Sequence, residues 1–199
     1  MTYTTMWAYP WDMLDDGVHD VTRRMREDIG LDAVSVATSY HSVEHLRPHT
    51  KGTRMFSTIE GGIYFQPDAD LWQDVSLQPS VAPMAAAGNP LEDICAAADR
   101  AGLRVESWTV CLHNSHMGRQ NPAVCERNAC GGVDAPRLCP SNPRVRENIP
   151  PPCRALVTNY ALCAIEWEAM SGCRRDKRFY LPMEGLEQGN AGRSNHVLG

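Results

Sequence analysis

Glu166 and Glu168 stand two residues apart in the apolar run Ala161–Glu168. On a strand that spacing puts both carboxyls on one face and Ile165 and Trp167 on the other. Two charges on an inward face are costly unless paired or near solvent, which makes them candidates for nucleophile or base in a hydrolytic step. The plainer reading is an ion pair of one glutamate with Arg104 or Arg154. Other chemistry-bearing side chains follow the ends of apolar runs: Trp11 and Asp12, then Tyr40 and His41, then His113, Asn114 and His116. Aromatic faces mixed with His, Asn and carboxylates suit a small polar ligand with apolar ring faces and hydroxyls, such as a sugar.

Other constellations are weaker. His113 and His116 with Cys125, Cys130 and Cys139 supply nitrogen and sulfur ligands for zinc, but no C-x2-C pair exists and the spacing is irregular. No metal or other cofactor is expected. His41, His45 and His49 recur every four residues, yet Pro48 interrupts any helix that would align them, so solvated histidines are expected. Gly61-Gly62 is too short for a phosphate loop, and neither a dinucleotide fingerprint nor a Gly-x-Ser-x-Gly elbow occurs.

The elements that must position these residues are four apolar runs separated by helical patterns. Thr4–Tyr9 is the first strand, stopped by Pro10. A helix follows from Asp15-Asp16-Gly17, with Val18, Val21, Met25 and Ile29 at three- and four-residue steps and Gly30 at its end. Ala33–Thr38 is the second strand, its continuous small apolar character suiting a sheet covered on both faces. Asn89-Pro90 opens a helix that runs to Gly102, and Arg104–Leu112 is the third strand. Asn142-Pro143 opens another helix, which Pro150-Pro151-Pro152 would break, so either a short helix restarts near Pro152 or the segment is locally altered. Ala161–Glu168 is the fourth strand.

Strand–helix alternation of this kind is α/β architecture with parallel crossovers. Residues 42–88 and 113–141 form long insertions after strands 2 and 3, at the carboxyl ends where a TIM barrel builds its site. A full barrel needs about eight strands and roughly 250 residues. The reading is therefore a partial (β/α)8 barrel of about four βα units over residues 1–170, with an irregular polar tail at 171–199. Arg178–Leu181 is the only candidate for a fifth strand, and the tail is expected to be a truncated or frame-altered end, or an exposed tail.

The 199 residues are 43% hydrophobic and 22% charged, within the globular range. A formal charge of −5 argues against a broad nucleic-acid footprint. No apolar run reaches the roughly 20 residues of a membrane-spanning helix, and Met1–Asp12 lacks signal-peptide character. A cytoplasmic protein without membrane or nucleic-acid partners is expected. The eight cysteines should then be reduced thiols.

The strings MWAYPWDMLDDG, LDAVSVATSYHS, EGGIYFQP, GLRVESWTVCLHNS, LCPSNPRVR and AIEWE resemble the N-terminal half of an uncharacterised bacterial family of glycoside-hydrolase-like TIM barrels. The likeness covers about residues 6–170, and the Asn142-Pro143-x-Val145-Arg146 segment is similar to one that opens the helix before strand 4 in many such barrels. The chain departs from the pattern at Pro150–Pro152 and after Met170. The resemblance implies O-glycosidic hydrolysis in the complete fold. Glu166 and Glu168 would be catalytic, with Trp11, Asp12, Tyr40, His41, His113 and Asn114 binding carbohydrate or another small polar ligand. This chain alone would bind sugar or a partner without turnover, or act as a metal-dependent hydrolase. Unpaired sheet edges predict self-association.

Overall fold

The structure, a computed structural model, describes residues 2–48, 54–73, 75–128, 130–170 and 180–181. In chain order, strand β1 (Thr5–Ala8) leads into helices α1 (Pro10–Asp16) and α2 (Val18–Arg23), and α2 continues as a π-turn to Ile29. β2 (Ala33–Tyr40) is followed by the short strands β3 (Glu44–Leu46), β4 (Met55–Ser57) and β5 (Gly62–Ile63). Next come α3 (Ala69–Trp72), β6 (Ser80–Val81), α4 (Pro83–Ala87) and α5 (Pro90–Ala101). β7 (Arg104–Val110), α6 (Ser115–Gln120), β8 (Cys125–Asn128) and β9 (Val133–Leu138) precede α7 (Pro143–Asn148), α8 (Pro150–Asn159) and β10 (Ala164–Glu168). Tyr180–Leu181 forms β11.

The four expected strands pair in parallel and in chain order, β1–β2–β7–β10. The result is a mixed α/β fold built on a parallel sheet. The insertion after β2 is structured. It adds the β3–β4 hairpin and also β5, which pairs antiparallel with the last two residues of β2 and parallel with β6. The insertion after β7 forms α6 and the antiparallel β8–β9 pair. β11 joins β8, so Tyr180 and Leu181, the described part of the segment read as a possible fifth barrel strand, belong to this small sheet instead. The rest of the polar tail lies outside the described residues, as do His49 and Cys173.

Local sequence accounts for the helix boundaries. Gly30 and Gly102 close their helices in the left-handed conformation, at φ 83° and 68°. Asn142 caps α7 by accepting from the Arg144 N–H. The three consecutive prolines restart a helix: Pro150–Pro152 occupy the first turn of α8, where a missing N–H costs no bond. Pro10 likewise opens α1 and does not merely stop β1.

One face of the parallel sheet carries the largest of the core clusters. Val34, Val36 and Val105 pack with Met13, Met25, Leu91, Ile94 and Leu156 from α1, the π-turn, α5 and α8, and Ile165 joins them. Trp167, which shares the face of Ile165, is 42% exposed.

Candidate functional site

The opposite face of the sheet carries the chemistry. Alternation brings Thr5, Trp7 and Tyr9 from the first strand to this side, with Ser35 and Ala37, Glu106 and Trp108, and Glu166 and Glu168. Trp7 Nε1 donates to Glu166 Oε2 at 2.7 Å, and Ser35 Oγ donates to the same oxygen at 2.9 Å. In a flat sheet β1 and β10 would stand about 14 Å apart, three spacings of roughly 4.8 Å. Contact between their side chains makes this face concave. Trp108 Nε1 donates to Glu168 Oε2 at 2.5 Å. Glu106 completes the carboxylates of this face, accepting from Tyr3 Oη at 2.5 Å and Thr5 Oγ1 at 3.0 Å.

Among the described residues, the partners of Glu166 and Glu168 are therefore indoles and a hydroxyl, and the anticipated ion pair with Arg104 or Arg154 does not form. A cavity of about 600 Å3 opens beside Glu166, with Thr5, Trp7, Glu106 and Ala164 also in its wall.

At the carboxyl ends of the strands the rings run on without a break. Trp108 lies 5.8 Å from Trp7, 5.5 Å from Tyr9 and 4.9 Å from Tyr40, ring centre to ring centre. Tyr40 stacks on His41 at 4.4 Å, and His41 on His113 at 4.8 Å. Burial and the hydroxyl of Tyr9, 2.9 Å away, push the Tyr40 phenol up. His113 is held below the ordinary histidine value by burial first, then by His41 and Arg137, against an opposing pull from Asp134 and Glu168. A neutral imidazole is thereby available beside a carboxylate and aromatic surface.

Three anticipated ligand contacts are placed otherwise. Trp11 is 2% exposed, stacked on Tyr9 at 4.5 Å and Phe56 at 5.0 Å, so its ring is core and not a rim. Asp12 accepts from Arg47 Nε at 2.7 Å, and Arg47 also pairs with Asp15. That ion pair ties α1 to the segment after β3. Asn114 is buried as the cap of α6, accepting from the Met117 N–H at 2.9 Å and donating to the Gly61 carbonyl at 3.3 Å. Tyr40, His41, His113, Glu166 and Glu168 stay on the concave side or at its carboxyl end.

Trp7, Trp108, Glu106 and Ser35 join the site although their residue types and positions in the sequence do not single them out. The parity of Thr5, Trp7 and Tyr9 against Met6 and Ala8 was the available signal for Trp7. Among the described residues no three His, Cys, Asp or Glu side chains converge as a metal site. The seven described cysteines are thiols; burial raises Cys111 to about 12 and Cys125 and Cys153 to about 11. Among the described residues no helix is long and apolar enough to cross a membrane.

Comparison with solved structures gives the fold a relative. The fold is similar to that of a glycoside hydrolase. A noncanonic maltogenic α-amylase from Thermotoga neapolitana superposes with a TM-score of 0.53 at 14% identity, over 88% of this chain and 41% of that one. A GH36 α-galactosidase from Geobacillus stearothermophilus, solved with stachyose, gives 0.47 at 12% identity, over 83% and 21%. This chain thus spans less than half of either. No family model matches the sequence, and no curated relative is found for it. The shared property is a glycoside-hydrolase-like fold.

Proposed function

We propose that this chain is the N-terminal half of a glycoside-hydrolase-like (β/α)8 barrel with a carbohydrate-type site at the carboxyl ends of its strands. One observation carries the reading: Glu166 and Glu168 share the concave face with Trp7 and Trp108, and the ring series continues to Tyr40, His41 and His113. Aromatic faces serve the apolar faces of pyranoses, and carboxylates and imidazoles bind their hydroxyls. The likeness to the α-amylase fold supports it.

In the complete fold the reaction is hydrolysis of an O-glycosidic bond. Glu168, closest to the histidines, serves as nucleophile or base, and Glu166 orients the sugar together with Trp7. Two carboxyls must flank the bond, about 5–5.5 Å apart for retention and wider for inversion. Neighbouring positions on one strand act from one side of a substrate, so the opposing acid belongs to another strand. The chain alone binds without turnover.

The experiment pairs calorimetric titration with malto- and galacto-oligosaccharides and an aryl-glycoside screen. Weak binding, reduced in Trp108→Ala, with no turnover above background, is expected. Turnover that disappears in Glu168→Gln would restore the chain as a complete enzyme. No binding to any glycan, with the fold intact, would sink the carbohydrate reading.

A further inference from the structure

Among the described residues, three strands of the sheet are paired on one side only: the short β6, bonded to β5, and the two end strands of the parallel run, β1, bonded to β2, and β10, bonded to β7. β5 and β6 lie beside the carboxyl end of β2, two residues of it, and leave the outer edge of β1 uncovered. Each open edge presents backbone N–H and C=O groups that require partners. Exposed large apolar side chains gather here too. Trp7 and Met6 on β1 are 62% and 40% exposed, and Trp167 on β10 is 42% exposed. The 600 Å3 cavity lies between the same two strands, lined by both.

We propose that this open side docks a second copy of the chain, closing the two four-stranded sheets into one eight-stranded parallel barrel. The inference rests on the half-barrel reading above and names the partner that completes it. The directions of the edges favour this occupant. β1 and β10 run the same way in one sheet. A two-fold axis along the strands therefore sets β10 of one copy beside β1 of the other, parallel, twice over. The order becomes β1–β2–β7–β10 followed by the same four strands again, and neither β1 nor β10 keeps an open edge. Eight strands is the number at which such a barrel closes with its interior filled by side chains. The contact is isologous, so the assembly stops at two and does not grow into a filament. Closure also sets Glu166 and Glu168 of one copy across the lumen from those of the other. That supplies the opposed carboxyls which a single strand lacks.

Sedimentation equilibrium on the full chain over a hundredfold concentration range, with hydrogen exchange on the same samples, tests this. The expected result is a monomer–dimer equilibrium in which amides of β1 and β10 gain protection as the dimer forms. The double variant Met6→Lys, Ala164→Lys puts charge on both edges. It should weaken the dimer roughly tenfold or more while far-UV circular dichroism is unchanged, since apolar burial is lost at both seams. A monomer at every concentration overturns the proposal, as do open-ended aggregates or a dimer indifferent to the double variant. Edge protection that does not depend on concentration also overturns it, because residues of the same chain would then cover the edges. If the variant fails to fold, exchange on the unaltered chain decides. A dimer that binds no glycan would refute the carbohydrate reading alone, and a glycan-binding monomer would refute the dimer alone.

Discussion

The indole N–H of Trp7 reaches Glu166 Oε2 at 2.7 Å and so ties the first strand of the parallel sheet to the last. Trp7 is 62% exposed, which places the bond within reach of water and keeps its net contribution small. Trp7→Phe keeps the ring and removes the donor. It should cost about 0.5–1.5 kcal/mol, the usual net range for one hydrogen bond. In a Glu166→Gln background the cost should shrink, and chemical denaturation of all four forms measures the coupling. Equal costs in both backgrounds would show that the two side chains do not act together.

Trp11 should behave in the opposite way. Its ring is packed among Tyr9, Tyr40, Phe56 and Tyr64. Trp11→Ala should destabilise the protein by about 3–5 kcal/mol, as large aromatic truncations in cores do. Thermal melts would register the loss before any titration could assign it to a ligand. A variant with an unchanged melting temperature would mean that the ring is not core.

Acidification should weaken the fold through His113. Its folded-state value is depressed, so the unfolded chain binds the proton more readily. The stability it contributes is complete above the ordinary histidine value of 6.5 and is lost as pH falls through its depressed folded value. Unfolding midpoints from pH 8 to pH 5 should fall more steeply for the natural chain than for His113→Gln. Parallel curves would remove His113 from the pH response.

Gly118 is the position in α6 that admits no side chain. A Cβ there would lie 1.9 Å from the Ala135 carbonyl oxygen and 2.9 Å from Cys125 Sγ. The oxygen is backbone of β9 and cannot rotate away. Gly118→Ala should therefore cost about 1–3 kcal/mol, in the range of overpacked cores, despite alanine's better helix propensity. An unchanged denaturation midpoint would show that α6 shifts freely against β9.

What the sequence discloses depends on how far the deciding contact reaches along the chain. The Asn89-Pro90 start and Gly102 end of α5 are local, and so is the alternation that sets Glu166 and Glu168 on one face. Both are legible from residue types alone. The role of Pro150–Pro152 is half legible: a proline run either breaks a helix or opens one, and the packing of Leu156 and Ala155 into the core selects the opening. Trp7 and Trp108 escape because their partners lie 159 and 60 residues away. Trp11 misleads for the same reason. Its position after β1 suggests a rim, whereas Phe56 and Tyr64, supplied by the insertion after β2, cover it.

The pairing of β2 with β7 shifts register between Ala37 and Ser39. Thr38, passed over by the ladder, instead joins Ser107 at 2.6 Å and Thr109 at 3.0 Å, and those two hydroxyls lie 2.7 Å apart. One extra residue reverses the phase of the strand from that point on. Ser35 and Ala37 look to the concave side before the shift, and after it Tyr40 rather than Ser39 meets Trp108. The closed triangle of hydroxyls is thus a phase marker. It fixes the count at which β2 changes parity, and with it the side of the sheet on which the tyrosine and histidine beyond it are delivered. Shortening β2 by Thr38 would leave the strand intact and send that pair to the wrong hemisphere of the molecule.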